Sequence, residues 1–278
     1  MSVVRPAAVA GYFYPDAPAA LRELVRSCLR AAEAEDPGEP ADPGRRRLPP
    51  KAIIVPHAGF AYSGSVAAAA YRLLEGAAIR RVVLLGPAHR VAVRGLALPT
   101  STAFATPLGM VPIDVEAAVA ARQLPQVMTS DAAHANEHAL EVQLPFLQSV
   151  LPAFRLVPFV VGDASPDEVA QVIDRLWGDA ETLVVASSDL SHFHDDATAR
   201  RVDAETTARV LAGTATLDGL QACGAAAING LLLAAGARGL HARLLQRRSS
   251  ADAGGDASRV VGYASFAFEA AGNADVRH

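Results

Sequence analysis

Short apolar runs alternate with longer amphipathic segments along most of this chain. The runs at residues 52–55, 81–85 and 182–186 are rich in valine, isoleucine and leucine, which is typical of strands buried on both faces. Segments such as residues 166–177 instead repeat apolar positions every three or four residues, as amphipathic helices do. The pattern predicts strands at residues 52–55, 81–85, 94–99, 155–162, 182–189, 242–246 and 260–268, and helices following Asp16 and at residues 64–75, 115–122, 137–151, 166–177, 196–211 and 223–235. Pro145 is expected to kink or interrupt the helix at residues 137–151.

This alternation indicates a sheet that is covered by helices on both faces. The chain is therefore predicted to form a three-layer α/β/α sandwich around a central, mostly parallel or mixed sheet. Residues 36–50, rich in proline and glycine, are interpreted as a surface loop, and residues 270–278 as a disordered tail. Because so little chain precedes the loop, we expect residues 1–278 to form one domain.

Composition and charge argue against several classes of protein. The net charge of −4 argues against a nucleic-acid surface, because phosphate binding needs clustered lysine and arginine. Neither a membrane-length apolar run nor a signal-peptide pattern is present, so we expect a cytoplasmic protein. With two cysteines, Cys28 and Cys223, no disulfide framework is expected. Cys28 falls on the apolar face of the first predicted helix.

Polar side chains follow three of the predicted strands. His57 comes two residues after the strand at residues 52–55, and His89 follows the strand at residues 81–85. The segment SSDLSHFHDD, after the apolar run at residues 182–186, supplies Asp189 and His192. Ligands bind at the carboxyl ends of strands in α/β sheets, where these residues are expected to meet. A single histidine is more often structural, but two beside a third polar cluster favour metal or acid–base chemistry.

Cys223 sits at the apparent start of an apolar helix, and its sequence context permits two interpretations. The helix dipole would lower the thiol pKa and favour thiolate, or the side chain is an inert buried thiol. The glycines that follow His57 in HAGFAYSGS suggest a turn that enters a helix N-terminus.

One local motif points elsewhere. His134, Glu137 and His138 match H-x-x-E-H, in which two histidines and a glutamate form a zinc metallohydrolase site. A helix that begins near Glu137 would prevent the two histidines from sharing a face, so this zinc hypothesis is the weaker one. In the helix-start interpretation, His138 faces either solvent or the site.

Eight segments together carry a resemblance to a known family. Their order along nearly the whole chain is AGYFYP, PHAGFAYSGS, LGPAHRV, ATPLG, EHALEVQLPF, SSDLSH, ACGAAAINGLL and SRVVGYASFAF. The chain resembles the Memo family, whose prokaryotic members are often named AmmeMemoRadiSam system protein B. That family is similar in fold to class III extradiol dioxygenases, which implies a non-heme iron site in a strand-end cleft.

The resemblance implies a set of site residues. The family's metal-ligand pattern falls on His57, His89 and Cys223, and the remaining site positions fall on Asp189 and His192. His192 corresponds to the relatives' acid–base histidine, while Asp189 would be a fourth ligand or an orienting residue. Departures occur at Arg90, where some relatives have a second histidine, and at two alanines after the Cys-Gly pair.

Two functions are compatible with these residues. The preferred hypothesis is an oxidoreductase that uses Fe(II), with copper or zinc as alternatives, on an unidentified small molecule for which a phenol is the candidate class. The alternative is a non-catalytic metal- or peptide-binding protein. For either function, the family name implies radical-SAM and AMMECR-type protein partners.

Overall fold

The computed structural model describes residues 3–35 and 48–270, so most of the predicted loop and all but the first residue of the predicted tail lie outside it. Strands are β1 Val4–Arg5, β2 Ala52–Val55, β3 Arg81–Pro87, β4 Leu96–Leu98, β5 Ala103–Thr106, β6 Gly109–Pro112, β7 Val127–Thr129, β8 Arg155–Val161, β9 Thr182–Ser187, β10 His192–His194, β11 Leu240–Ser249 and β12 Val260–Ala270. Helices are α1 Pro18–Glu35, α2 Phe60–Tyr71, α3 Val115–Ala121, α4 Asp131–Ala135, α5 His138–Glu141, α6 Leu144–Val150, α7 Pro166–Leu176, α8 Asp196–Leu211 and α9 Ala225–Gly236.

The larger of the two sheets in the described residues is mixed, with a parallel centre. Its order is β10-β12-β2-β9-β3-β8-β4-β7, and β11 pairs with the other side of β12. Strands β2, β9, β3 and β8 run parallel and form this centre. On either side of it, β12 is antiparallel to β2 and β4 is antiparallel to β8. The parallel centre brings the carboxyl ends of β2, β3 and β9 to one edge of the sheet.

Alternating side chains divide the core between the two faces of this sheet. Ile53 and Val55 pack on the side covered by α1, α2 and α6. Ala52 and Ile54 pack on the side covered by α3, α7 and α9. The fold is therefore the three-layer α/β/α sandwich predicted from the sequence. Within the described part of the chain, no helix has the length and apolarity needed to cross a membrane.

Most predicted elements are present, with shifted ends. The capping box predicted at Ser165 is formed with Glu168 and starts α7. The helix predicted at residues 137–151 is interrupted near Pro145, as expected: it is divided into α5 and α6, with Pro145 in the first turn of α6. Helix α2 begins earlier than predicted, at Phe60, which brings it directly after the loop that carries His57.

Candidate metal centre

His57 lies two residues beyond β2, with its side chain buried. Its Nδ1 is 2.9 Å from Oγ of Ser187. That hydroxyl donates its proton to the carbonyl of Ala139 at 2.7 Å, so Nδ1 of His57 is the donor to Ser187. Burial is the main cause that lowers the pKa of His57, to about 3. The ring is therefore neutral, and Nε2 carries a lone pair that can bind a metal.

His89, just beyond β3, is held by a buried carboxylate. Glu137 accepts the backbone N–H of His89 at 2.7 Å and lies 2.9 Å from its Nδ1. Burial alone would raise the pKa of Glu137, but these bonds and one from the Ala139 N–H lower it to about 2. An ionised carboxylate only accepts, so Nδ1 of His89 is protonated and Nε2 has a free lone pair.

His138, the first residue of α5, completes a cluster of three imidazoles. Its ring centre lies 4.6 Å from that of His89 and 5.4 Å from that of His57. One ring nitrogen from each histidine falls within 4.8 Å of the others. Burial is the main cause that lowers the pKa of His138, to about 4, so its ring is also neutral near pH 7.

One nitrogen of His138 lacks a hydrogen bond. Its buried Nδ1 lies 3.3 Å from Oε1 of Glu137, but the two atoms do not have hydrogen-bond geometry. Phe13 also contacts this ring, with its ring centre 4.7 Å away. The amino-terminal segment therefore forms part of the wall of this cluster.

Cys223 contacts the cluster at His57. Its Sγ lies 3.2 Å from Nε2 of His57, but it is not a member of the group whose three nitrogens converge. Of the two interpretations of Cys223, the structure agrees with the buried thiol and not with the thiol activated by a helix dipole. Burial, and then the charge of Asp189, raise the pKa of Cys223 to about 12. Helix α9 begins only at Ala225, so the cysteine lies before the helix whose dipole would activate it.

Asp189 supports the main chain at His57. Its carboxylate accepts the backbone N–H of His57 at 2.7 Å and that of Ala58 at 3.2 Å. Burial raises the pKa of Asp189, although these two hydrogen bonds act in the opposite direction. In this structure Asp189 holds the loop that carries His57 through two backbone hydrogen bonds, and both of its predicted roles stay predictions.

His192 lies at the edge of the cluster. Its Nδ1 is 2.8 Å from the carbonyl of Leu190, which can only accept, so Nδ1 carries a proton and the neutral ring has its lone pair on Nε2. Its charged form would lower the pKa values of both His57 and Asp189, which indicates proximity to both. This environment is compatible with the predicted acid–base role, which stays a prediction.

The H-x-x-E-H motif does not form the zinc pair that it suggested. His134 belongs to α4, and its Nε2 donates to the carbonyl of Ala97 at 2.9 Å. His138 begins a separate helix, and Glu137 between them caps that helix while holding His89. The zinc metallohydrolase hypothesis therefore lacks the shared helical face that it requires.

Only part of this set could be predicted from the sequence. Ser187 lies within the segment SSDLSHFHDD, but nothing in the sequence predicts its bond to His57. From the sequence, His138 faces either solvent or the site, and Glu137 is only a zinc-site or helix-start residue. Their adjacency in the sequence, beside a predicted helix start, was the one available signal.

Comparisons with known proteins identify the family of this chain. A family model described as Memo-like protein matches residues 5–267. A MEMO1 family protein of Methanopyrus kandleri is 38% identical over 286 residues, covering 95% of this chain and 98% of its own. MEMO1 family proteins of Thermotoga petrophila and Archaeoglobus fulgidus are each 34% identical, each covering 94% of this chain and 98% and 97% of their own lengths. The chain belongs to the Memo family.

Proposed function

We propose that this protein is a metal-dependent oxidoreductase whose metal is held by His57, His89 and His138, with Cys223 as a further ligand. The observation that carries the proposal is the convergence of three imidazole nitrogens within 4.8 Å at one edge of the sheet. Fe(II) is the metal proposed; imidazole also suits copper and zinc.

The residues of the cluster fit a divalent cation. A metal binds neutral imidazole, and burial keeps His57 and His138 neutral at pH 7. The contacts with Ser187 and Glu137 leave Nε2 of His57 and of His89 free to bind. A carboxylate behind a histidine is the usual outer support of a metal ligand, and Glu137 has that position.

His192 is proposed to move a proton. Bound iron would supply the redox chemistry with oxygen. In the neutral ring of His192 the lone pair is on Nε2, so this atom would take the proton of a hydroxyl group on a small phenolic substrate. Asp189 keeps the His57 loop in place while this occurs.

Metal content tests the proposed centre. We expect near-stoichiometric iron in protein purified anaerobically from iron-replete cells, and at least about a tenfold loss of affinity in His57→Ala, His89→Ala and His138→Ala. His194→Ala is the matched control, because His194 is exposed and outside the cluster. Absence of bound metal, or metal that is unaffected by these changes, would contradict the proposal.

Oxygen uptake with added catechols tests the reaction. His192→Ala should abolish turnover and leave iron bound, whereas equal loss of both would remove the acid–base role. A protein that holds metal but consumes no oxygen with any phenol would favour the binding-protein alternative. The radical-SAM and AMMECR-type partners and the cytoplasmic location stay predictions.

A further inference from the structure

Phe193, beside His192, has an unfavourable backbone conformation. Its φ is 65°, and within the described residues it is the only residue other than glycine with a positive φ. Bulky side chains rarely adopt this conformation, because Cβ crowds the backbone. The pairing of β10 with β12 is irregular at this point. Strain of this kind persists only where the surroundings impose it, and it is frequent at functional sites.

The ring of Phe193 is also poorly buried. It is 61% exposed, and its centre lies 5.6 Å from that of His192 in an edge-on arrangement. The guanidinium carbon of Arg259 lies 4.4 Å from the Phe193 ring centre. An exposed cation–π contact of this kind stabilises a fold only slightly. Local stability therefore does not account for a strained, exposed aromatic residue at this position.

Arg259 retains hydrogen-bonding capacity. The residue is exposed, and no carboxylate among residues 3–35 and 48–270 forms an ion pair with it. A guanidinium group has a planar set of donors that matches a carboxylate.

We propose that Phe193 and Arg259 form a subsite for a planar carboxylate ligand, such as an aromatic acid, beside His192. The flat part of the ligand would contact the Phe193 ring, and its carboxylate would bind Arg259. The claim that this ligand is the substrate rests on the proposed function. The claim that the subsite binds a planar anion does not rest on it. The strained backbone at Phe193 then serves to present the ring next to His192.

Benzoate and its neutral analogue benzamide test the subsite. With the protein purified anaerobically, titration followed by NMR should give benzoate an affinity at least about tenfold above that of benzamide, the ratio that one charge-assisted contact supplies. Arg259→Met should remove this preference. Arg175→Met, at an exposed arginine on α7, is the matched control and should retain it.

Two variants at Phe193 separate the ring from the strain. Phe193→Ala and Phe193→Gly should both weaken the binding of benzoate, because each removes the aromatic ring. Phe193→Gly should unfold at a higher temperature than Phe193→Ala, because only glycine accepts this φ without strain. A glycine variant no more stable than the alanine variant would contradict the claim of strain.

The outcomes for the subsite and for the metal centre are distinguishable. Equal binding of benzoate and benzamide, or a preference that survives Arg259→Met, would overturn the subsite. Metal content is measured on the same samples, and it should be unchanged in the Phe193 and Arg259 variants. Their loss of metal would also overturn the subsite, because the effect would not be local. Wild-type protein without metal would overturn the proposed centre alone.

Discussion

Glu137 holds His89 through both of its carboxylate oxygens. Oε2 accepts the backbone N–H at 2.7 Å, and Oε1 accepts the ring Nδ1–H at 2.9 Å. One buried side chain therefore sets both the main chain and the ring orientation of a proposed metal ligand. The same residue caps the helix that begins with His138, so it links two of the three imidazoles.

Replacement of Glu137 by glutamine should weaken metal binding by about 10- to 100-fold, as other changes behind metal-ligating histidines do. Glutamine is nearly isosteric with glutamate, but its amide NH₂ would face an N–H group of His89 at the position where a carboxylate oxygen now accepts. Competition with a chromogenic chelator would measure the affinity. Glu168→Gln, at an exposed helix cap, is the control. Unchanged affinity in Glu137→Gln would contradict the orienting role.

Arg5 fixes the amino-terminal segment to the loop before α5. Its Nε donates to the carbonyl of His134 at 2.8 Å, its Nη2 to that of Glu137 at 2.7 Å, and its Nη1 to the carboxylate of Glu141. Arg5→Met should lower the free energy of unfolding by about 3–5 kcal/mol, because it leaves Glu141 charged and buried without its partner.

Urea denaturation would measure the effect of Arg5→Met. The matched control is Arg26→Met, which breaks an exposed ion pair with Glu23 and should have little effect. Similar stability of the two variants would show that the Arg5 network is not required for folding.

His134 should make stability depend on pH. Burial is the main cause that lowers its pKa from 6.5 in the unfolded chain to about 4. Below pH 6.5 the unfolded state takes up a proton that the folded state does not. The contribution of His134 to stability is therefore complete above pH 6.5 and is lost as the pH falls towards 4.

Wild type and His134→Gln should be compared in metal-free form. Between pH 7.5 and 5, the wild type should lose on the order of 2 kcal/mol more of its unfolding free energy than the variant does. Denaturant titrations at both pH values would measure this difference. Equal losses would show that His134 titrates normally in the folded protein.

Cys223 should react slowly as a nucleophile in metal-free protein. Because burial and Asp189 raise its pKa to about 12, little thiolate is present at pH 8. Alkylation by iodoacetamide, followed by peptide mass spectrometry, should be far slower than that of free cysteine. The same protein in urea is the control, since both cysteines should then react at the ordinary rate. Rapid labelling of Cys223 in the folded protein would contradict the raised pKa.

Local patterns in the sequence were sufficient for the layers of the fold and for two of the clustered histidines. Apolar runs specify buried strands, and the residues that follow parallel strands meet at one edge, which placed His57 and His89 together. The capping box at Ser165 also depends only on residues three apart, so it could be predicted. Periodicity did not predict β1, β5 or β6. Strands β5 and β6 are four-residue halves of a hairpin, too short for a periodic pattern, and the two-residue β1 depends on pairing with the distant β5.

Only the tertiary structure determined the environment of each side chain. Ser187 orients His57 from 130 residues away, and Glu137 orients His89 from 48 residues away. Burial decided between the two interpretations of Cys223, because desolvation of a charged thiolate outweighs a helix end that starts two residues later. The sequence by itself determined which residues follow the buried strands. Contacts between distant segments decided which ring nitrogens are free and which groups are neutral, since both depend on burial and on partners remote in the chain.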